Sequence, residues 1–361
     1  MALILTSEEE QLRDSVRRFV ADRSPLPRLR ELISSGQSYD AGLWKQLSAQ
    51  LGLTGLIIPD SYGGAEAGYA ALSVALTELG ASLVPSPLLA VTLAAGTLLR
   101  LGDDDARESL LPGIASGELI VTLAGTSPRA VRASGAVLAG EAALTGELAP
   151  VLNGADAQVL LVPATADGAT AVFAVDADAV GLDIAPLKSL DHSRSVARVR
   201  LDGTPGRRLS GDATAALGFA ADLANLSLAA EQLGGMRACL AMTTEYAKIR
   251  VAFGQPIGAF QGVKHRLADV RTGWELAHAA LRDAARAADE RPPAFPVAAS
   301  VARVMVSAPY VAAATAAIQL HGGIGFTWEH DAHLYYKNAI SQQALFGEPG
   351  EQLDRLRAML G

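Results

Sequence analysis

Apolar residues in the first part of the chain recur every three or four positions, as they do along one face of an α-helix. They are Leu12, Val16, Phe19 and Val20 in a first segment and Trp44, Leu47 and Leu51 in a second. Ser7 and Glu10 have the spacing of a capping box, which predicts that the first helix begins there. After a turn-rich break at residues 59–64, helical spacing resumes over residues 69–79. We therefore expect an N-terminal α-helical domain over residues 1–117.

The pattern changes between residues 118 and 209. Short β-prone runs separated by Gly, Asp and Pro occupy residues 158–162, 171–175 and 196–201, which predicts a middle domain built on a small antiparallel sheet. Helical spacing then returns, with long segments near residues 213–250, 260–288 and 295–320. The sequence thus predicts an α+β chain, in which the middle β-domain (118–209) separates the first helical domain from a C-terminal α-helical bundle (210–361).

Composition narrows the classes of partner. The chain has 361 residues, of which half are hydrophobic and 19% are charged, as in a well-buried globular protein. The net charge of −8, without a basic stretch, argues against nucleic acid or an anionic membrane as the main partner. Cys239 is the one cysteine, which excludes an intrachain disulfide and a cysteine-based metal cluster.

Residues 80–99 carry no charge over a length that could cross a bilayer. Pro85 and Pro87 interrupt any helix there, and residues 88–99 alone are too short to span. We expect a buried core helix and no membrane span. The N-terminus is acidic at residues 8–10, where a signal peptide would be basic, so we expect a cytoplasmic location.

Two motifs carry the strongest chemical signal. Residues 250–261 read Arg-Val-Ala-Phe-Gly-Gln-Pro-Ile-Gly-Ala-Phe-Gln, and residues 319–326 read Gln-Leu-His-Gly-Gly-Ile-Gly-Phe. Singly, these are compatible with a solvated helix end and a plain turn. Together, in this order and separation, they resemble two signatures of the acyl-CoA dehydrogenase family. Weaker similarities are residues 55–64, which resemble an N-terminal loop of the family, and residues 126–128, which resemble its Thr-Glu-Pro element.

The resemblance implies a cofactor, a substrate class and partners. FAD would be bound partly across a subunit interface, by residues that reach its adenosine and pyrophosphate. These are Arg250, Phe253, Gln261, Gln319, Gly322 and Gly323. Thr126 would contact the flavin ring, and Ser127 replaces the glutamate of Thr-Glu-Pro. The same resemblance implies an acyl-CoA substrate, a homo- or hetero-oligomer and an electron-transfer flavoprotein as electron acceptor.

The catalytic base of the family is missing from both of its usual positions. Dehydrogenation requires a base, normally glutamate, to remove the proton α to the thioester carbonyl while the β-hydride passes to the flavin. Counting along the motifs puts Phe346 at the commoner position, just before Gly347, and Ala224 at the alternative one. Neither side chain takes up a proton. The family's Trp-Ile-Thr element beside the flavin is also changed, to Pro-Val-Leu at residues 150–152.

Two acidic residues are candidates to replace the base. Glu231 lies seven residues beyond Ala224 on the same helix face, in an apolar stretch whose burial would raise the pKa of a carboxyl. The alternative is a structural glutamate bonded to a neighbouring helix. Glu348 follows Phe346 closely, but Pro349 indicates that it opens the last helix. We favour Glu231 of the two.

Other chemistries have less support. A set of possible metal ligands comprises Glu329, His330, Asp331 and His333, but it lies where the family has a structural helix, so we expect surface charge and no metal. The G-x-G-x-x-G and G-x-S-x-G motifs do not occur, which removes the usual sequence support for a dinucleotide-binding Rossmann site and for a serine hydrolase.

Three functions remain open. The chain keeps the residues that reach across an interface and lacks those that act within a subunit, which favours one subunit of a heteromeric acyl-CoA dehydrogenase whose partner supplies the base. A self-sufficient homo-oligomer with Glu231 as base is the second hypothesis. A non-catalytic acyl-CoA-binding scaffold that has kept the fold is the third.

Overall fold

The computed structural model describes residues 3–138, 141–347 and 349–361. The N-terminal part of the chain is helical. Its helices are α1 (Ser7–Arg23), α2 (Leu26–Ser35), α3 (Ala41–Leu51), α4 (Gly68–Ala81), α5 (Leu88–Leu101) and α6 (Asp104–Ser116). The predicted core helix is confirmed, because α5 is buried along most of its length. Residues 82–87 separate it from α4, so the uncharged stretch 80–99 comprises the last two residues of α4, a connection and most of α5.

The capping box at the start of α1 was predicted one residue too late. Thr6 is the N-cap: its hydroxyl accepts a hydrogen bond from the Glu9 backbone N–H (3.2 Å), and the Glu9 carboxylate accepts one from Thr6 N–H (2.9 Å). Glu9 is buried, and its carboxylate also pairs with Arg282 (2.7 Å) and Arg286 (3.0 Å) of the C-terminal bundle. This long-range ion pairing selects Thr6 and Glu9 over the chemically similar pair Ser7 and Glu10.

The middle region forms a sheet that closes on itself. Its strands are β1 (Val121–Leu123), β2 (Val131–Leu138), β3 (Glu141–Leu152), β4 (Val159–Ala166), β5 (Ala169–Asp176), β6 (Leu182–Pro186) and β7 (Val196–Arg208). The pairings run from β4 through β2, β3, β7 and β5 back to β4, with β1 added beside β4 and β6 beside β7. A separate apolar core, which includes Leu144, Val162 and Phe173, fills this barrel.

The prediction of a purely antiparallel sheet was wrong for two pairings. Strand β4 runs parallel to β1 and to the start of β2, while its pairing with β5 is antiparallel. A parallel neighbour needs a long crossover, and the whole β2–β3 hairpin supplies it between β1 and β4. Local periodicity does not carry that information, because both pairings place the same side chains on the same face.

The C-terminal region is a bundle of long helices. Its elements are α7 (Ala213–Ile249), the short hairpin β8 (Val251–Ala252) and β9 (Gln255–Pro256), α8 (Gln261–Glu290), α9 (Phe295–His321), α10 (Ala332–Ala344) and α11 (Pro349–Leu360). Two helical stretches, Ala213–Ile249 and Pro292–Phe326, are long and apolar enough to cross a membrane. In the first, 72% of the most apolar window is buried inside the chain, and in the second, 50%, as in core helices of a bundle.

Helix α7 joins the two helical regions into one core. It packs between α4 and α5 on one side and α9 on the other, and one apolar cluster includes Leu76, Leu98, Leu226 and Phe295, one from each of these helices. Helices α4 and α7 are in close backbone contact, because a Cβ added to Gly234 would be 2.0 Å from the carbonyl oxygen of Thr77. The barrel has its own core, so a cleft between barrel and bundle is the natural place for a bound molecule.

Candidate functional site

The first of the two motifs, residues 250–261, begins with a short hairpin at the end of α7. Strands β8 and β9 pair antiparallel, and Phe253 (φ 53°) and Gly254 (φ 82°) form the turn between them. Two successive residues with positive φ are typical of a tight two-residue hairpin turn, and here they point Phe253 into solvent, 95% exposed. Arg250 precedes the hairpin, and a short turn leads from it to Gln261, the first residue of α8. The Phe253 ring packs edge-on against Phe260, the residue before Gln261, with centroids 6.2 Å apart.

The second motif lies at the same end. Helix α9 ends at His321, and Gly322 follows with φ 64° and ψ −143°, a backbone conformation that favours glycine. The imidazole of His321 packs on the ring of Tyr246, four residues before Arg250, with ring centroids 4.3 Å apart. This contact joins the end of α7 to the end of α9. The structure therefore brings the two motifs together, although residues 262–318 separate them in the sequence.

We call this surface the distal end, defined by the six residues predicted to bind FAD across an interface. These are Arg250, Phe253, Gln261, Gln319, Gly322 and Gly323, and all six are exposed. Large apolar side chains surround them, also exposed: Ile249, Val251, Ile324, Phe326 and Trp328. An apolar patch of this kind, mixed with a cation and backbone N–H groups, is typical of a surface that is covered by a partner.

Thr126 and Ser127 lie elsewhere, on the barrel. Thr126 is half-buried, and the Ser127 hydroxyl accepts a hydrogen bond from the Arg129 backbone N–H (3.4 Å). The preceding Gly125 faces the Leu148 side chain of β3, two residues before Pro150. Close to β3, a cleft with a volume of about 300 Å³ lies between barrel and bundle, and its lining includes Pro150 and Leu345.

The loop that carries the usual base position is fixed by apolar packing and hydrogen bonds. Phe346 has a positive φ (55°) and packs partly buried against the main core. Its carbonyl accepts a hydrogen bond from the Gln352 amide (3.4 Å), whose own oxygen accepts one from Asn225 (3.0 Å). Ala224 is fully buried beside Asn225. Both base positions are therefore tied to α11 and lack a proton acceptor.

Arg303 also stabilises this loop, through hydrogen bonds to backbone carbonyls. Its guanidinium is fully buried and donates to the carbonyl oxygens of Gln342 (2.6 Å) and Leu345 (3.1 Å). Burial lowers the pKa of Arg303 to about 10. The sequence analysis missed this residue, although the signal was available: Arg303 is the one Lys, Arg, Asp or Glu residue in the apolar stretch of residues 295–320.

Glu231 lies inside the chain and is ion-paired. Its carboxylate accepts hydrogen bonds from Arg194 and from the Gln342 amide (3.3 Å), and its side chain is 12% exposed. Burial raises the pKa of Glu231, while the Arg194 guanidinium acts in the opposite direction. Arg194 belongs to the barrel loop beside the cleft, so this pair connects barrel and bundle. The geometry matches the structural alternative for Glu231, while its role as base stays a prediction.

Glu348, the other candidate base, lies outside the described residues. Two of the possible metal ligands have partners within the chain. Asp331 pairs with Arg30 (2.6 Å), and His330 Nδ1 accepts a hydrogen bond from the Ala332 backbone N–H (3.1 Å). Within the described ranges, no group of three or more His, Cys, Asp or Glu residues could hold a metal ion.

His333 lies beside the distal end and gives a testable pH dependence. Its ring packs edge-on against Trp328 (4.6 Å), and burial, followed by the charges of Lys337 and Arg30, lowers its pKa to about 4. The unfolded chain, with a pKa of about 6.5, takes up the proton first, so stability falls as the pH falls through this window. We expect His333→Phe, which keeps the ring, to lose less thermal stability between pH 7 and pH 5 than the wild type. Equal losses in melting temperature would contradict this assignment.

Two domain models of one family match both helical regions of the chain. The acyl-CoA dehydrogenase N-terminal domain family matches residues 6–118, and the acyl-CoA dehydrogenase C-terminal domain family matches residues 217–360. The chain belongs to the acyl-CoA dehydrogenase family. The predicted fold class is confirmed by these matches and by the order of helical, β and helical regions. The family comprises oxidoreductases that act on acyl-CoA and use FAD.

Individual relatives cover nearly the full length. Acyl-CoA dehydrogenase IpdE2 of Mycobacterium tuberculosis is 36% identical over 357 residues, which cover 97% of this chain and 96% of the relative. The solved ChsE4–ChsE5 complex from Mycobacterium tuberculosis is 30% identical, with a TM-score of 0.92 and coverage of 100% and 99%. The Tcur3481–Tcur3483 steroid ACAD, a G363A variant, is 32% identical, with a TM-score of 0.89 and coverage of 98% and 97%.

The distal end fits the pyrophosphate half of FAD. A Cβ placed on Gly322 or Gly323 would meet no atom within 4 Å, so the space in front of their backbone is open. The Gly322 backbone N–H is bonded to carbonyls at the end of α9, so the charged donor available to a pyrophosphate at this end is the exposed Arg250 guanidinium. The chain's own cleft fits the flavin ring less well, because Pro150, Val151 and Leu152 provide neither the indole nor the hydroxyl of the family element.

Proposed function

We propose that this chain is one subunit of a heteromeric acyl-CoA dehydrogenase, in which it completes an FAD site carried mainly by a second, homologous subunit. The partner supplies the base and the surface for the flavin ring. This chain supplies Arg250, Phe253, Gln261, Gln319, Gly322 and Gly323. When bound, FAD accepts the hydride that leaves the β-carbon of the acyl-CoA thioester.

One contrast carries the proposal. The six residues that define the distal end are exposed and can contact another chain, whereas the usual base position of the chain holds a partly buried phenylalanine. Phe346 occupies it, and the hydrogen bonds from Asn225 through Gln352 tie α7, α11 and the loop together. A site that had kept its own reaction would need an acid–base group at this point.

Two similar structures support the heteromer. One is the ChsE4–ChsE5 complex, and the other is the Tcur3481–Tcur3483 steroid ACAD, which is named after two components. By analogy we propose a bulky acyl-CoA, such as a steroid thioester, as the substrate class of the assembled enzyme. We also propose an electron-transfer flavoprotein as the electron acceptor and a cytoplasmic location.

The test is co-expression with a homologue encoded next to this gene. We expect the chain alone to be colourless, and the complex to show a flavin spectrum that bleaches when a steroid or branched acyl-CoA is added. A flavin spectrum of the chain alone that bleaches with an acyl-CoA would overturn the proposal and favour the homo-oligomer. Absence of flavin from the chain and from every complex would favour the non-catalytic scaffold.

Glu231→Gln separates the homo-oligomer from the heteromer. The raised pKa of Glu231 is the observation that favours a base there, but the Arg194 ion pair occupies its carboxylate. For a structural Glu231, we expect unchanged bleaching by acyl-CoA and a lower melting temperature, because Arg194 is left buried without a counter-ion. Arg194→Gln is the matched control and should lower the melting temperature similarly. Bleaching lost in Glu231→Gln but kept in Arg194→Gln would make Glu231 the base.

A further inference from the structure

A second cavity lies on the face of the bundle away from the barrel. Helices α1, α4, α7 and α8 enclose it together with residues 3–5, and its volume is about 330 Å³. That size is at the lower end of small-molecule sites. None of its lining residues belongs to the distal end or to the cleft between barrel and bundle.

The inner walls of this cavity are apolar. Val74, Leu233 and Leu281 are buried there, and the Trp274 ring, stacked on His278 with centroids 5.1 Å apart, forms one side. At the mouth, the apolar side chains of Leu3 and Ile4 are 42% and 77% exposed to solvent. A ligand with a hydrocarbon chain would cover these side chains and fill the space between the helices.

The mouth also carries cations that share one counter-ion. Arg17 and Arg237 both donate to the buried carboxylate of Glu78, with distances of 2.6 to 3.0 Å. Their side chains remain 50% and 29% exposed, while Glu78 is 3% exposed. Two guanidinium groups on a single carboxylate leave one positive charge without an equal partner at this point.

The other arginines of the lining differ in their surroundings. Arg13 bonds to Asp14 (2.8 Å) and lies 3.9 Å from Glu10, whereas Arg282 shares the buried Glu9 carboxylate (2.7 Å) with Arg286 (3.0 Å). Since the Arg282 side chain is only 2% exposed, the exposed cations of the lining that share a counter-ion are Arg17 and Arg237, at the outer edge of the apolar walls. This is the arrangement that recognises an amphipathic anion: a carboxylate at the two arginines and a hydrocarbon body inside.

We propose that this cavity binds a small apolar monocarboxylate, held by Arg17 and Arg237, at a site separate from that of the thioester. Octanoate is a suitable probe, and 1-octanol is its neutral counterpart with the same body. We expect octanoate to bind the full chain with a dissociation constant on the order of 0.1–1 mM. The alcohol should bind at least about ten-fold more weakly, since it lacks the charge-assisted hydrogen bonds.

Titration calorimetry on matched variants tests the proposal. Arg17→Gln and Arg237→Gln should each weaken octanoate about ten-fold while leaving the alcohol unchanged. Arg18→Gln, the same change one residue along and outside the cavity, should change neither. Val74→Phe, which fills the apolar part, should abolish binding of both.

Three results would overturn the proposal. The first is the absence of octanoate binding by the wild type. The second is equal binding of octanoate and octanol that neither arginine change affects. The third is binding by the isolated chain that disappears in the complex with its partner subunit, which would show that protein covers this mouth.

Discussion

Replacing Arg250 by Ala is expected to remove FAD from the assembled enzyme. Arg250 is exposed at the distal end, between α7 and the hairpin that presents Phe253. A charge-assisted hydrogen bond to phosphate contributes about 1.5–3 kcal/mol, so the affinity for FAD should fall about ten- to hundred-fold. The absorbance ratio of flavin to protein after gel filtration and an FAD titration of the apoprotein measure this loss.

Lys248→Ala is the matched control for Arg250→Ala. It removes a cation of the same sign two residues earlier, where Lys248 pairs with Glu245 (2.6 Å) and is 62% exposed. We expect this variant to keep its FAD. If both variants lose FAD equally, general electrostatic attraction accounts for the effect, and the assignment of Arg250 as a specific ligand fails. Full FAD content in Arg250→Ala would also contradict the assignment.

Helices with one apolar face were predictable from the sequence, whereas pairings between distant parts were not. The spacing of apolar residues predicted α7, α8 and α9 to within a few residues, because each helix buries its own face. The parallel pairing of β1 with β4 depends on the path of an intervening hairpin, which no local pattern records. The start of α1 depends on Arg282, which lies 273 residues beyond Glu9.

For the candidate site too, local features were predictable from the sequence and long-range contacts were not. The motifs around Arg250 and Gly322 indicated the distal end, since turns and glycines at fixed spacing are local features. The partner of Glu231 was not predictable, because Arg194 lies on a barrel loop that only the fold brings to α7. Burial of Glu231 was expected, but the ion pair changes its interpretation from a free base towards a structural contact.

Replacing Gly234 by Ala is expected to cause the largest loss of stability in the chain's helical core. The added Cβ would lie 2.0 Å from the Thr77 carbonyl oxygen and 2.6 Å from the Ala81 backbone nitrogen. Both are backbone atoms of α4, so no side chain can rotate away, and the helices must separate. Overpacking against backbone at a helix crossing should cost about 4 kcal/mol or more. Chemical denaturation of the full chain measures the change.

Gly218→Ala, in the same helix, provides the opposite expectation. A Cβ at Gly218 would meet no atom within 4 Å, so the substitution should stabilise the protein by up to about 1 kcal/mol through helix propensity.

The close crossing of α4 and α7 also explains the burial of Glu231, whose backbone carbonyl would be 2.2 Å from a Cβ on Gly80. Separating the helices in Gly234→Ala should therefore expose Glu231 and weaken its pairing with Arg194. Equal stability of Gly234→Ala and Gly218→Ala would show that α4 and α7 are not in close backbone contact.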